Sequence, residues 1–434
     1  YYPFLLANFS PFYFTVHTMT LTEKIIARTS GKPSVKPGET VWVVPDVFMM
    51  YDWPGISDRY AYLLKNRFNI ERIPVADRTV IFIDHMCPPT GEHETEFHHG
   101  TRRWANEQGI KLFEGLGIGH QVAAELGFAT PGAMIAHLDT HVQLLGAFGA
   151  LTISLLADLL TALALGRFWI EVPATIRVEL EGDFQYGVSG RDLIHKIIKD
   201  LGPDGGIGKV LEFVGDGARK MSIDSRMALL CQIMFCGAIS GIFPADDKAL
   251  TYLKNKTGKE FETVVSDPDA TYFETIRYDL SLLEPHVVKP SSPGNACALK
   301  EVEDLEVQQG YLGSCASGRL EDIEIAARIL KGKKIKPGFR LYVVPSSREV
   351  MVQAMESGAL AALVDAGAFV SSPTCDFCYG KTQSLCAGER AVSTGTLNVP
   401  GRMGSIYSEI YQTSAAVVAA TALTGKITDP RNYL

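Results

Sequence analysis

Cysteine is too sparse in this chain to form a disulfide framework. There are 8 cysteines among 434 residues, whereas the domains that depend on disulfides are much shorter and much richer in cysteine. This scarcity excludes the disulfide-stapled secreted class. We therefore expect a reducing compartment, the cytoplasm or alternatively the mitochondrion.

An excess of basic charge is also missing. The chain has 41 Lys and Arg against 49 Asp and Glu, a net charge of −8. Nucleic-acid binders usually show a basic excess or a basic stripe. The longest basic cluster, at 331–336, is typical of a solvated helix end. We therefore expect no nucleic-acid partner.

Two uncharged or apolar stretches bear on membrane association. Residues 1–18 lack the basic start of a signal peptide and the arginines of a transit peptide, and we interpret them as an extension that precedes Met19. The run 144–166 contains one charge, Asp158, and no flanking Trp/Tyr belt. Its Gly, Ala and Ser content favours a buried helix over a membrane span. No membrane association is predicted.

The remaining sequence is that of a large globular α/β protein. Hydrophobic residues make up 46% and charged residues 21%, and the length exceeds what one core usually fills. Strand-like runs alternate with helical patterns, as in α/β folds. The predicted strands are 40–45, 79–83 and 340–345, and the predicted helices are 99–107, 189–201, 320–330 and 347–361. Breaks at 172–173 and 289–295 predict three segments, 19–174, 175–291 and 292–434.

Polar residues collect where predicted strands end. Asp84 and His85 close the run VIFIDH, His120 lies in GIGHQV, and Asp139 and His141 lie in IAHLDTHV. Ligands usually bind at the strand ends of open α/β sheets. An isolated Asp–His pair is more often structural, but three such segments together predict a functional site.

Three of the thiols lie among Gly, Ser, Thr and Pro. Cys315 lies in GSCASGR, and Cys375 and Cys378 form the Cys-x-x-Cys pair of PTCDFC. Three thiolates suit zinc with a histidine as fourth ligand, or an iron–sulfur cluster with one open iron. Their spacing alone slightly favours zinc, because zinc sites are commoner. The other cysteines are interpreted as small buried hydrophobes or bystanders: Cys87, Cys231, Cys236, Cys297 and Cys386.

The motifs that surround these residues, taken in order, resemble those of one family. They run from EKIIARTSGKPSVKPGE through GHQVAAELGFATPGAMIAHLDTH, VPATIRVELEG, VLEFVGDG and DLSLLEPHVVKP to GSCASGR, PTCDFC, NVPGRMGS and TGKITDPRNYL. This series, from Met19 to Leu434, resembles the aconitase family, most closely the large subunits of 3-isopropylmalate dehydratase. The resemblance implies three α/β domains around a 4Fe-4S cluster, and a hydro-lyase that acts on a hydroxy-carboxylic acid.

The resemblance also implies roles for individual residues. Cys315, Cys375 and Cys378 would hold the cluster, whose fourth iron binds the substrate's hydroxyl and a carboxylate as a Lewis acid. A hydroxyl leaves readily only when it is also protonated, so a proton donor has to stand beside the metal. His85, oriented by Asp84, matches the donor position of the family.

Further matches surround that donor. Arg402 in PGRMG matches an arginine that binds a substrate carboxylate, a role that suits the guanidinium fork. Thr140 and Thr396 are assigned to substrate binding with it. The family's imidazole–carboxylate network is matched by His120, Asp139 and His141. Its glutamate near the active iron is matched by Glu212.

Departures from the family pattern fall close to these motifs. At 139–142 this chain reads Asp-Thr-His-Val where the family usually reads Asp-Ser-His-Thr. At 315–319 it reads Cys-Ala-Ser-Gly-Arg where the family usually reads Cys-Thr-Asn-Gly-Arg. Asp376-Phe377 replaces Gly-Pro, and Thr396-Leu397 replaces Asn-Arg. Leu397 removes a charge near a cluster that handles dianionic acids. This pattern favours an altered substrate, or lost activity, over ordinary leucine biosynthesis.

A partner is also expected. The chain ends at TDPRNYL, before the swivel domain that supplies the serine base in single-chain aconitases, so the resemblance predicts a small subunit. A dehydratase with this partner is one hypothesis, acting on 3-isopropylmalate or, in a specialised relative, on another acid. A non-catalytic or RNA-binding descendant is a second, which the acidic balance disfavours. A zinc protein that uses the same thiols is a third.

Overall fold

The computed structural model describes residues 18–53 and 55–434. The predicted extension over 1–18 lies outside the described residues, apart from Thr18. The helices are α1 (Leu21–Ser30), α2 (Ile56–Phe68), α3 (Glu92–Gln108), α4 (Gly119–Glu125), α5 (Leu159–Leu165), α6 (Gly190–Leu201), α7 (Asp216–Lys220), α8 (Ile223–Leu230), α9 (Asp247–Thr257), α10 (Ser314–Ser317), α11 (Leu320–Leu330), α12 (Arg348–Glu356), α13 (Ala359–Ala366) and α14 (Ala415–Thr424).

The strands belong to four sheets. They are β1 (Thr40–Val43), β2 (Val47–Tyr51), β3 (Thr79–Ile83), β4 (Lys111–Glu114), β5 (Met134–His137), β6 (Leu151–Ser154), β7 (Phe168–Glu171), β8 (Ala174–Glu181), β9 (Lys209–Val214), β10 (Ser240–Ile242), β11 (Glu274–Asp279), β12 (His286–Val288), β13 (Ala296–Ala298), β14 (Gln309–Leu312), β15 (Arg340–Val343), β16 (Phe369–Val370), β17 (Arg390–Ser393) and β18 (Glu409–Gln412).

Two of the sheets are wholly parallel. The first has the order β4-β3-β2-β5-β6 and the second β10-β9-β8-β11. The third is mixed, with seven strands in the order β13-β12-β18-β17-β14-β15-β16, and β1 pairs with β7 in a small antiparallel sheet. Parallel strands need helical crossovers that cover both faces. The prediction of an α/β fold is confirmed.

Burial explains why the strands are so apolar. Every residue of β3 (TVIFI) is buried, which is typical of a parallel strand covered on both faces. One hydrophobic core joins the first and second sheets and includes Phe82, Phe148, Phe213 and Cys315. The segment 289–295 connects β12 to β13 within the third sheet. The three domain boundaries stay a prediction.

The apolar run 144–166 does not form the single buried helix that its composition predicts. It is divided into the end of a 3-10 helix (Thr140–Phe148), the strand β6, a 3-10 turn (Leu156–Asp158) and α5. Gly149, with φ of +78°, ends the first helix as glycine commonly does. No helix among the described residues has the length and apolarity needed to cross a membrane.

The predicted helices differ from the structure mainly at their ends. The helices predicted at 189–201 and 320–330 correspond closely to α6 and α11, whereas α3 begins at Glu92, seven residues before the predicted start at 99. The helix predicted over 347–361 is two helices, α12 and α13, because the chain turns at Gly358, whose φ is +77°.

Candidate active site

A cavity of about 640 Å³ lies where the carboxyl ends of β2, β3 and β5 face the loops of the third sheet. Strand ends of α/β sheets are the usual place for a ligand site, and the volume lies in the range of small-molecule pockets. The sequence-predicted residues that line it are His85, His120, Asp139, Thr140, His141, Cys315, Cys375, Cys378, Thr396 and Arg402.

The three thiols of the predicted metal site all face this cavity. Cys315 lies in α10 just after β14, and Cys375 and Cys378 lie in the loop after β16. Each is at least nine-tenths buried. The Sγ of Cys378 lies 3.5 Å from the Oγ1 of Thr396 and 3.6 Å from an Nη of Arg402.

The surroundings of Cys378 favour its ionised form. A hydrogen bond from Cys375 and the positive charge of Arg402 hold the pKa of Cys378 well below its ordinary value, although burial opposes them. A thiolate is the form of cysteine that binds metals. This end of the cavity is therefore suited chemically to a metal group.

Asp84 and His85 form a buried pair at the end of β3. The Nδ1 of His85 lies 2.6 Å from an Oδ of Asp84, whose other oxygen accepts the backbone N–H of Gly119 at 2.7 Å. This pairing leaves Nε2 of His85 for the cavity. Burial alone would lower the pKa of His85, but the carboxylate of Asp84 outweighs it and raises the pKa. The charged form of His85 is thus favoured.

Asp139 joins two further imidazoles. One of its oxygens lies 2.8 Å from Nδ1 of His141 and 3.4 Å from Nε2 of His120. Burial opposes ionisation of Asp139, yet the two histidines outweigh it and hold the pKa of Asp139 well below its ordinary value. In return Asp139 outweighs the effect of burial on His141 and raises its pKa to about 9. The pair is therefore charged at neutral pH.

Some buried nitrogen atoms of residues that line the cavity have no protein partner among the described residues. Across the part of the chain that the structure describes, Nδ1 of His120, Nε2 of His141 and Nε of Arg402 are buried without a hydrogen bond from protein. Buried polar atoms are normally satisfied. These three atoms have no partner in the protein, and the residues that carry them line the cavity.

Other residues of the site carried no signal in the sequence. Tyr51 and Trp53 lie beside the His85 ring, with ring centroids 5.0 and 5.5 Å away, and Tyr379 stacks on the ring at 5.7 Å. The Sγ of Cys231, in an apolar stretch after α8, lies 3.6 Å from that of Cys315. Aromatic and apolar residues of this kind resemble ordinary core in the sequence, so only the fold identifies them.

Asp376, between the paired cysteines, joins two segments of the site. Its Oδ1 accepts the backbone N–H of Met86 and the hydroxyl of Tyr379, both at 2.6 Å. Met86 has a φ of +51°, which is unfavourable for a residue with a side chain. Asp376 therefore holds a strained turn directly after His85.

Glu212 is not brought to the cavity, contrary to the expected position near an iron. Its carboxylate on β9 accepts hydrogen bonds from Ser266 at 2.8 Å and Tyr272 at 3.3 Å. Ser266 in turn accepts the backbone N–H of Leu21, at the start of α1. Glu212 thus belongs to a buried network that anchors α1 and is not among the residues that line the cavity.

Comparison with known proteins agrees with these observations. The family model described as the aconitase family (aconitate hydratase) matches residues 75–308 and 298–425. The 3-isopropylmalate dehydratase large subunit 1 of Methanopyrus kandleri is 38% identical over 96% of this chain and 99% of its own length. The large subunit 1 of the Pyrococcus furiosus enzyme is also 38% identical, over 96% and 99%.

A solved structure supports the fold. The holo-form of Thermococcus kodakaraensis aconitase X superposes with a TM-score of 0.50 at 13% identity, covering 82% of this chain and 84% of that one. The predictions of an aconitase-type fold and of a hydro-lyase are confirmed by these matches together. The chain belongs to the aconitase family.

Proposed function

We propose that this chain is the cluster-bearing large subunit of a two-subunit hydro-lyase that dehydrates a hydroxy-carboxylic acid of the malate type. The observation that carries the proposal is the meeting of three thiols and the Asp84–His85 pair on one cavity. The names of the relatives, which are 3-isopropylmalate dehydratase large subunits, support both the reaction class and the partner.

The three thiols are assigned to a 4Fe-4S cluster, as membership of the aconitase family implies. In a cluster each thiolate binds a different iron, and all three thiols line the same cavity. Cys315, Cys375 and Cys378 would hold it, and when bound it supplies a Lewis acid for the substrate's hydroxyl.

Protonation of the leaving hydroxyl is assigned to His85. A leaving hydroxyl has to be protonated as its bond to carbon breaks. His85 can donate this proton from Nε2, because its pKa is raised and its Nδ1 is held by Asp84. Asp84 orients the ring and stabilises its charged form. The charged pair of Asp139 and His141 stands on the same cavity and holds polar groups of the substrate in position.

Binding of the substrate's carboxylate is assigned to Arg402. Its guanidinium group faces the cavity beside Cys378, and its Nε is without a protein partner within the described residues. Thr396 and Thr140 line the cavity nearby and add hydroxyl donors. Charge-assisted hydrogen bonds of this kind are stronger than neutral ones.

The base that removes a proton from carbon is assigned to a small partner subunit. The relatives are named large subunits, which implies a second chain. The test is anaerobic reconstitution with iron and sulfide, followed by assay of malate-type acids with and without a candidate small subunit. We expect an intact cluster in the large chain alone and strong activity only with the partner. Zinc without iron, or full activity by the single chain, would overturn the corresponding part of the proposal.

A further inference from the structure

A buried phenol beside the thiols has no hydrogen-bond partner in the protein. Tyr311 lies on β14, four residues before Cys315, and is 0% exposed. Among the residues that the structure describes, none forms a hydrogen bond with its hydroxyl. Buried polar groups are normally paired, because an unpaired one destabilises the fold. The hydroxyl of Tyr311 therefore lacks the partner that its burial requires.

Close packing fixes the position of this ring. Tyr311 stacks on Phe377, with an interplanar angle of 9° and ring centroids 6.5 Å apart. A methyl group added to Gly313 would lie only 2.8 Å from the hydroxyl oxygen of Tyr311. Interiors packed this densely leave side chains little freedom to move. The hydroxyl is therefore held where it lies, close to the backbone that leads into the first thiol.

The three thiols assigned to the cluster lie near this ring. Cys375 and Cys378 belong to the same hydrophobic cluster as Tyr311. A methyl group added to Gly395 would lie 3.7 Å from the Sγ of Cys378 and 3.8 Å from the ring of Tyr311. Burial raises the pKa of Tyr311, and negative charge on Cys378, Cys375 and Cys315 raises it further. The phenol is therefore a protonated donor close to all three sulfurs.

Other donors already approach these sulfurs. The Oγ1 of Thr396 and an Nη of Arg402 lie 3.5 and 3.6 Å from the Sγ of Cys378. Hydrogen bonds to the sulfurs are among the factors that set the reduction potential of an iron–sulfur cluster. Groups of this kind, just outside the ligands, tune a metal site without binding the metal. Tyr311 would add one O–H donor to them, from a side chain that is wholly buried.

We infer that the hydroxyl of Tyr311 donates a hydrogen bond to a sulfur of the bound cluster, a thiolate or an inorganic sulfide. This bond raises the reduction potential of the cluster and slows its oxidative loss, because a donor stabilises the more negative, reduced state. The inference rests on the proposed function, since it requires the cluster that the three thiols would hold. Tyr311 is a positioning and tuning residue, which neither binds iron nor transfers the proton of the reaction.

Removal of the hydroxyl alone tests the bond. Tyr311→Phe keeps the ring and should retain iron and sulfide after anaerobic reconstitution. Its midpoint potential, from a redox titration followed by electron paramagnetic resonance, should shift to a more negative value, and the lifetime of its cluster in air should fall severalfold. Tyr342→Phe is the matched control, because this half-buried ring on β15 also packs beside Phe377, with centroids 6.0 Å apart. The control should change neither quantity.

Melting temperatures with and without the cluster separate this role from ordinary packing. In the cluster-free protein the hydroxyl has no acceptor, so Tyr311→Phe should leave the melting temperature unchanged or raise it. In the loaded protein the same substitution removes a hydrogen bond and should lower the melting temperature. Circular dichroism under anaerobic conditions measures both. The opposite signs are expected only if the acceptor arrives with the cluster.

The outcomes distinguish the inference from the function on which it rests. A parent protein that takes up no iron and sulfide would overturn the cluster assignment and the inference with it. A loaded parent whose potential is unchanged in Tyr311→Phe, or shifts no more than in Tyr342→Phe, would overturn the inference alone. Equal losses of stability in cluster-free and loaded Tyr311→Phe would assign the hydroxyl a partner other than the cluster, which also contradicts the inference.

Discussion

The backbone N–H of Cys375 donates a hydrogen bond to the carbonyl oxygen of Asp84 at 3.0 Å. This bond joins the end of β3, in the first sheet, to the cysteine loop that follows β16 in the third. His85, the proposed proton donor, and Cys375, a proposed cluster ligand, lie about 290 residues apart in the chain, and main-chain atoms hold their segments together. Their spacing depends on the docking of two sheets, not on flexible side chains.

The assignment of His85 predicts a specific kinetic loss. His85→Gln should lower kcat on the order of a hundredfold or more, since loss of a general acid typically does so. Iron and sulfide content should stay unchanged, because His85 is not a ligand. The exposed His99 on α3 provides the control, His99→Gln. Activity of His85→Gln within a few fold of the parent would contradict the role.

The thiols predict an all-or-none pattern of iron content. Alanine at Cys315, Cys375 or Cys378 should abolish the cluster, measured as iron, sulfide and the visible spectrum of anaerobically purified protein. Cys236→Ala, at a buried thiol bonded to the carbonyl of Ile233, is the control and should retain it. Cys231→Ala should also retain it, although its sulfur lies 3.6 Å from that of Cys315. Loss of iron in Cys231→Ala would make that residue a fourth ligand.

Asp376 predicts a structural effect on the site. Asp376→Ala leaves the N–H of Met86 and the hydroxyl of Tyr379 without their acceptor, which typically costs about 1–3 kcal/mol of stability. We expect a lower melting temperature and faster removal of iron by a chelator. Asp365→Ala, at an exposed aspartate that pairs with Lys334, should change neither. A chelation rate equal to the parent's would show that Asp376 does not support the cysteine loop.

The Asp139–His141 pair predicts a pH-dependent contribution to stability. The pKa of His141 is raised from about 6.5 in the unfolded chain to about 9. The stabilisation is complete below pH 6.5 and is lost as the pH rises through about 9. Its size, at 1.36 kcal/mol per pKa unit, is on the order of 3 kcal/mol. The difference in unfolding free energy between parent and His141→Gln should therefore shrink between pH 6.5 and 9.

Anaerobic urea titrations at several pH values measure this difference. A constant difference across the range would show that the pKa of His141 is not raised in the folded protein. Asp139 has the opposite pH dependence, because its pKa is lowered in the folded protein. Its stabilisation of the fold is present above the unfolded pKa of about 3.9 and is lost in acid. Its titration lies far from the His141 window and does not confuse the measurement.

The sequence by itself determined the family, the α/β class and the polar strand ends. The short motifs that match the family identify Cys315, Asp84-His85 and Asp139-His141 as candidate site residues. Strand and helix patterns depend on residues only a few positions apart, so they could be predicted locally. Their convergence was predicted from the resemblance, and in the structure Cys315, His85, Asp139 and His141 line one cavity, with Asp84 bonded to His85.

Only the tertiary structure decided which distant segments meet. Glu212 lies in a family motif, yet sheet order places it against Ser266 and Tyr272. The run 144–166 has the composition of a helix, but pairing of β6 with β5 makes part of it a strand. Cys231 and the aromatic residues beside His85 look like core residues in the sequence. Contacts across sheets depend on how packed layers dock, and no local pattern carries that information.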